Sequence, residues 1–316
     1  MNIRDDVKQF LTERRKRTQA TGAIDVVADR QALREFTRMS DGPRGNIAQV
    51  RDFEVTGANG VALGARLYDD RSVVDAAPLL VFFHGGGWYL GDLETHDALC
   101  AEIARTLRIP VLAVNYRKAP ENPFPVPVDD ALAAVRWAAQ SPMEIGQEIT
   151  GIVLAGDSAG GTLAAVCAQE LSGALPVPLL AQFLMYPSTD LTATTGSIQE
   201  FGDGFVPSAA ARTFAINSYT PNESDRKDPR ASPLKAKNFQ GLPPTVLLTC
   251  ELDPMRDEGR EYATLLRKNG VKMIHREAEG QIHGCCAMRK LIPSAQRDLE
   301  LCLYDLNALI EGTVAA

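Results

Sequence analysis

The feature that most constrains the fold is a regular alternation of short apolar runs with helical patterns along most of the chain. The apolar runs cover residues 78–83, 111–116, 152–155, 179–186, 245–249 and 272–277, and the helical patterns cover 94–108, 127–140, 159–172, 256–269 and about 293–311. Strands that are apolar along their whole length are buried on both faces, and strands that alternate with helices pair in parallel. The alternation therefore predicts an α/β fold with a mostly parallel central sheet flanked by helices.

Two segments depart from this alternation. Residues 1 to about 40 are polar and helical in pattern. Their spaced apolar face comprises Val26, Val27, Leu33 and Phe36. Residues 188–243 are rich in Thr, Ser, Gly, Asn and Pro and contain one helical stretch near 207–219. Because a structureless loop of that length is unusual in a compact domain, we predict an inserted lid or cap there. A strand pair is predicted at 52–55 and 62–68.

Composition narrows the class of protein. With 316 residues, 45% hydrophobic and 23% charged, the chain is typical of a soluble globular protein. Its net charge of −7 argues against binding to nucleic acid or to anionic membranes. No run approaches the ~18 apolar residues of a membrane-spanning helix, so we expect no stable membrane insertion. The charged N-terminus lacks a secretory apolar core, and the six cysteines show no CxxC spacing, which together predict a cytoplasmic protein with reduced thiols.

A Gly-x-Ser-x-Gly motif occupies residues 156–160, between the apolar strand 152–155 and a helical run. A sharp strand-to-helix turn holds such a serine in a strained conformation with its Oγ exposed, and the flanking glycines let strand and helix approach closely. The alternative is a glycine-rich helix start that holds an anion. The strand–turn–helix setting favours Ser158 as a nucleophile.

Three consecutive glycines follow His84 at the end of the apolar run 78–83. Acyl transfer develops an oxyanion, which backbone N–H groups stabilise when they already point at it. We predict that Gly85, Gly86 and Ala159 donate these N–H groups. The alternatives are a flexible loop or a phosphate cradle, and the absence of the Gly-Lys-Ser/Thr ending excludes a P-loop.

A nucleophilic serine needs a base, and the chain has four histidines. His283 lies past the end of a predicted strand, where a loop can carry its imidazole to the serine. His84 begins the glycine loop, His96 lies early in a predicted helix, and the pattern around His275 is that of a sheet position. His283 is therefore the predicted base.

The predicted acid partner is Asp253, which emerges just after the strand 245–249. A carboxylate there would hold the imidazole tautomer and stabilise the imidazolium. Glu251 and Asp257 are rivals, although a carboxylate in the first turn of a helix commonly compensates the helix dipole. The chain order serine, aspartate, histidine is the one found in α/β-hydrolases.

Together with residues 116–125 and 253–258, these motifs make the chain resemble the hormone-sensitive-lipase-like esterases of the Gly-Asp-Ser-Ala-Gly type over about residues 45–311. The resemblance implies an α/β-hydrolase fold with a helical cap. Its domains would be a catalytic domain at 46–187 and 244–316 and a cap at 1–45 and 188–243. It also implies short- to medium-chain acyl esters as substrates, no cofactor, an acyl-enzyme intermediate and a homodimer.

The leading hypothesis is thus a serine carboxylesterase acting on a small-molecule acyl ester. Amide or lactone hydrolysis by the same machinery and a non-catalytic ligand receptor are the alternatives. We predict no metal site, because the spacing of His275, His283, Cys285 and Cys286 matches no common zinc pattern. Cys285 and Cys286 stand where the family usually has an aromatic residue. Two interpretations stay open for them: small buried apolar side chains, or a thiol exposed to the pocket.

Overall fold

An eight-stranded sheet forms the centre of the protein in the computed structural model, which describes residues 2–17 and 25–314. In chain order the strands are β1 (Gln49–Thr56), β2 (Ala62–Asp69), β3 (Ala77–Phe83), β4 (Val111–Val114), β5 (Ile149–Asp157), β6 (Leu179–Met185), β7 (Thr245–Leu252) and β8 (Met273–Ile282). Across the sheet they run in the order β1-β2-β4-β3-β5-β6-β7-β8. The pairs β1–β2 and β2–β4 are antiparallel and the others are parallel, which confirms the predicted mostly parallel sheet.

Helices flank this sheet. They are α1 (Asp5–Arg17), α2 (Val26–Ser40), α3 (Asp97–Leu107), α4 (Val126–Ala138), α5 (Ala159–Leu171), α6 (Gly196–Phe201), α7 (Ala209–Tyr219), α8 (Arg256–Lys268) and α9 (Ser294–Val314). Among these described residues, no helix combines the length and the apolar composition that crossing a bilayer requires.

The hydrophobic core lies in two parts, one on each face of the sheet. Leu79, Val81 and Phe83 of β3 pack with residues of α4, α5 and α8. The alternate residues Leu80 and Phe82 pack with residues of α1, α3 and α9. Side chains alternate between the faces of a strand, so a strand covered on both sides must be apolar throughout. This is why the inner strands appear in the sequence as continuous apolar runs.

The described part of the N-terminal segment contains the two helices α1 and α2, and the predicted helical residues 18–24 lie outside the described part of the chain. Asp25 caps α2 because its side chain accepts the N–H groups of Val27 and Ala28, two of the donors that a helix start leaves without partners. The short helix α6 in the insertion was not predicted. It has six residues, begins with glycine and has no side-chain cap, so it carries too little pattern to detect.

The parallel strands bring their carboxyl ends to one edge of the sheet. Chemistry-bearing residues follow four of them directly: His84 after β3, Ser158 after β5, Asp253 after β7 and His283 after β8. In open α/β sheets, ligands bind outside the carboxyl ends of the strands. The topology thus gathers residues far apart in sequence at one place.

Candidate active site

Ser158 occupies a sharp turn between β5 and α5. Its backbone lies at φ 53° and ψ −120°, a region that residues with a side chain rarely adopt, so the predicted strained turn is present. A Cβ atom added at Gly160 would lie 1.9 Å from the carbonyl oxygen of Phe83, and one at Gly156 would lie 2.3 Å from the oxygen of Gly160. Both glycines are therefore required for the close approach of strand and helix that this turn needs.

Ser158, His283 and Asp253 form a continuous hydrogen-bonded chain. His283 Nε2 is 2.8 Å from Ser158 Oγ, and His283 Nδ1 is 2.7 Å from Asp253 Oδ2. Asp253 is fully buried, and its other oxygen accepts the N–H of Met255 at 2.8 Å. The carboxylate is thereby fixed in position on one side of the imidazole, while Ser158 on the other side is partly exposed.

The rival acids lie elsewhere. Asp257 accepts the N–H of Ser197 and pairs with Arg256, and Glu251 accepts the N–H of Gly280.

The other histidines also have different partners. His275 Nε2 lies 2.9 Å from the hydroxyl of Thr249 on β7. His84 is fully enclosed and stacks on the Tyr116 ring at 4.3 Å, and burial holds the pKa of its imidazole well below the usual value. Tyr116 also donates its hydroxyl to the carbonyl of His84 at 2.8 Å, which anchors the start of the glycine loop.

The glycine loop differs from the prediction in one donor. The N–H of Gly85 does not face the serine, because it donates to Asp157 Oδ1 at 2.7 Å. The assignment of Gly85 to the oxyanion site is therefore wrong. Gly86, Gly87 and Ala159 line the cavity beside Ser158, and within the described residues their N–H groups meet no protein acceptor.

A buried pair of Asp157 and His96, which no pattern in the sequence revealed, holds this loop. His96 Nε2 lies 3.0 Å from the Asp157 oxygen that also accepts the Gly85 N–H. Burial opposes a charge on His96, but the Asp157 carboxylate outweighs it and raises the pKa of the imidazole. The only signal in the sequence was the acidic residue directly before the serine, since nothing local marks its partner, which directly precedes α3.

A cavity of about 260 Å³ opens at Ser158 and His283. Its walls come from α2, from the insertion and from the loops at the strand ends. The side chains around it are mainly apolar and include Leu33, Phe36, Trp88, Val206, Pro207, Ala215, Ile216, Met255 and Met288. A concave apolar site with a few convergent polar groups is typical of small-molecule binding.

Cys285 and Cys286 are both fully buried, and neither lines the cavity. Hydrogen bonding among neighbouring thiols and burial raise the pKa of both thiols well above the usual value. Cys285 Sγ lies 3.8 Å from Cys250 Sγ. These contacts support the packing interpretation. The ring beside His283 belongs instead to Tyr186, at a centroid distance of 4.8 Å. In the described part of the chain, no group of three or more His, Cys, Asp or Glu residues is arranged to hold a metal ion.

Comparison with known proteins agrees with this architecture. Residues 80–287 match a family of alpha/beta hydrolase fold. The carboxylic ester hydrolase LipN of Mycobacterium tuberculosis is 41% identical over 82% of this chain and 70% of its own length, and the esterase LipI of the same organism is 35% identical over 91% and 89%. Among solved structures, the hyperthermophilic esterase from the archaeon Pyrobaculum calidifontis superposes with a TM-score of 0.90 at 31% identity and covers 100% of both chains.

The chain belongs to the hormone-sensitive-lipase-like family of α/β-hydrolases. Within that family it is a carboxylic ester hydrolase.

Proposed function

We propose that this ester hydrolase works through Ser158 as nucleophile and His283 as general base and acid. Asp253 orients the imidazole and stabilises its positively charged form. The observation that carries the proposal is the hydrogen-bonded chain from Ser158 Oγ through both ring nitrogens of His283 to Asp253, which opens on an apolar cavity. In the reactive tautomer, Asp253 accepts the Nδ1–H and Nε2 accepts the serine proton.

In the acylation step, Ser158 Oγ bonds to the ester carbonyl carbon while its proton moves to His283 Nε2. The tetrahedral intermediate carries a negative oxygen, and the free N–H groups of Gly86, Gly87 and Ala159 are the donors for it. As the carbon–alkoxide bond breaks, His283 returns the proton to the alkoxide, which leaves as an alcohol. Water then gives a proton to His283 while its oxygen bonds to the acyl carbon. When the bond from that carbon to Ser158 Oγ breaks, His283 passes the proton to Oγ, which releases the acid and restores Ser158.

A phosphonate with a nitrophenol leaving group tests this assignment directly. We expect one equivalent of nitrophenol per chain, complete loss of activity and a mass increase confined to the peptide that contains Ser158, because only an activated serine displaces the leaving group at neutral pH. Activity before labelling should survive EDTA. A label on another residue, or activity that persists at full labelling, contradicts the proposal.

The cavity supports short- to medium-chain acyl esters as substrates. Its volume of about 260 Å³ lies below the ~300–1,000 Å³ of typical ligand pockets. Two segments that the sequence assigned to a cap, residues 1–45 and 188–243, contribute its outer wall through α2 and α7. We therefore propose that the cap limits the length of the acyl chain, and that residues 46–187 and 244–316 form the catalytic domain.

Replacement of Leu33 by alanine should shift the preference towards longer acyl chains. Leu33 lines the cavity from α2, and removing part of its side chain makes room for additional methylene groups. We expect the ratio of kcat/KM for nitrophenyl octanoate to that for nitrophenyl butyrate to rise about tenfold. Val27→Ala is the matched control, because Val27 lies on the same helix and is 73% exposed. An unchanged ratio in Leu33→Ala would mean that α2 does not set chain length.

A cytoplasmic location remains part of the proposal. Its support is that all six cysteines are free and buried, as expected of a protein kept in a reducing compartment. The net charge of −7 supports the absence of a nucleic-acid partner, and the family resemblance supports a homodimer.

A further inference from the structure

The insertion places one arginine in the wall of the cavity. Arg212 on α7 is the only lysine or arginine among the described residues that line the cavity, whose walls are otherwise mainly apolar. Its side chain is 15% exposed. Among the described residues, two of its nitrogens, Nε and Nη2, are enclosed by the protein and meet no hydrogen-bond acceptor, whereas Nη1 is not enclosed and also meets none. A guanidinium stays charged at any physiological pH, so the side chain of Arg212 is a largely buried positive charge whose N–H donors are not all used.

Two other arginines of the chain, Arg117 and Arg289, are paired closely. Arg117 donates from Nε and Nη2 to Asp130 at 2.8 and 2.7 Å, and Arg289 donates in the same way to Asp41 at 2.8 and 2.9 Å. The carboxylate nearest to Arg212 is Glu258, and Arg212 Nη2 lies 3.9 Å from its Oε2. That distance is too long for a hydrogen bond, and Glu258 Oε2 accepts no hydrogen bond from the described residues.

Glu258 is a weak counter-ion for this arginine. It is fully buried on α8, and its Oε1 accepts the N–H of Thr189 at 2.9 Å. Burial, opposed by Arg212, raises the pKa of Glu258 to about 7. Near neutral pH part of the molecules therefore hold Glu258 uncharged, and in those molecules Glu258 does not compensate the charge of Arg212.

We propose that Arg212 forms a carboxylate-binding subsite in the cavity, so that the enzyme favours esters that carry a second, ionised carboxyl group, such as monoesters of dicarboxylic acids. The inference rests on the proposed function, because it places the substrate in the same cavity as Ser158. A substrate carboxylate would accept a charge-strengthened hydrogen bond from Nη1, the one nitrogen of Arg212 that the protein does not enclose. Arg212 would then determine specificity without touching the reacting atoms.

The test compares two esters of matched shape. Monoethyl glutarate carries a carboxylate where ethyl 5-methylhexanoate carries an isopropyl group, and release of ethanol measures both reactions. We expect the wild-type ratio of kcat/KM for the first ester to that for the second to exceed one at pH 6. Arg212→Met keeps an unbranched side chain as far as the position of Nε but removes the guanidinium donors, and should lower the ratio by about tenfold or more. Lys237→Met removes an exposed positive charge from the same insertion and should leave the ratio unchanged.

The Glu258→Gln variant moves the ratio in the opposite direction. Between pH 6 and pH 8 the wild-type ratio should fall, because Glu258 gains its charge and competes for Arg212. The other charged group that faces Glu258 is Asp190, which is paired with Lys235 at 2.7 Å. The substrate carboxylate, with a pKa near ~4.3, is ionised throughout. Glu258→Gln should show a ratio independent of pH and above that of the wild type at pH 8.

Each outcome decides the inference. A wild-type ratio below one at pH 6, or a ratio that Arg212→Met leaves within twofold of the wild type, overturns it. If Arg212→Met does not fold, a Glu258→Gln ratio equal to that of the wild type at pH 8 overturns it instead. Failure of the proposed function is separate, since it appears as hydrolysis of the neutral ester that survives Ser158→Ala.

Discussion

Replacement of Ser158 by alanine is expected to lower kcat/KM for a chromogenic short-chain ester by about four to six orders of magnitude. The hydroxyl is the only atom in the cavity that we assign to bond with the acyl carbon. Its hydrogen bond to His283 at 2.8 Å is what activates it. Only the slow attack of water beside the N–H donors would remain.

The same variant should fold as the wild type does. Ser158 is partly exposed, so the change leaves no cavity in the core, and the strained backbone is held by the glycines on either side. Circular dichroism and the melting temperature should therefore be nearly unchanged. Ser172→Ala, at the other end of α5, is the matched control and should retain full activity. Residual activity of Ser158→Ala within tenfold of the wild type would rule out Ser158 as the nucleophile.

What the sequence predicted well depends on short-range pattern and chain order. The strand–turn–helix context of Ser158 is local, and it led to the backbone geometry that the structure shows. Asp253 and His283 were chosen because each follows a strand whose apolar run is visible, and parallel strands bring such positions together. Their hydrogen-bonded arrangement agrees with that choice, and their catalytic roles remain predictions.

The features that the sequence did not reveal are the directions of the N–H groups in the glycine loop and the contacts between residues far apart in the chain. Three glycines in a row do not say which N–H groups point at the serine, because that follows from the path of the loop, where Gly86 lies at φ 113°. The direction of the Gly85 N–H is fixed by Asp157, 72 residues away in sequence. The contact between Asp157 and His96 likewise joins residues far apart in the chain, and no sequence motif links the two. The same holds for the approach of Arg212 to Glu258.

Replacement of Asp253 by asparagine should lower kcat by about 10⁴-fold. Asp253 Oδ2 lies 2.7 Å from His283 Nδ1, so a carboxylate there requires the proton on Nδ1 and leaves Nε2 free to accept the proton of Ser158. An asparagine amide can donate its own N–H to Nδ1. The imidazole would then carry its proton on Nε2, where it cannot act as the base.

The control for this prediction is Asp257→Asn, which changes the rival carboxylate four residues further along the chain, in the first turn of α8. Asp257 accepts the N–H of Ser197 at 2.8 Å and an asparagine oxygen can do the same, so we expect activity within a fewfold of the wild type. The Asp253→Asn variant also keeps an oxygen for the N–H of Met255, which argues that its loss of activity will not come from misfolding. Equal melting temperatures of the two variants would establish this. If Asp257→Asn lost as much activity as Asp253→Asn, or if Asp253→Asn kept a tenth of the wild-type rate, the acid partner of His283 would have to be assigned anew.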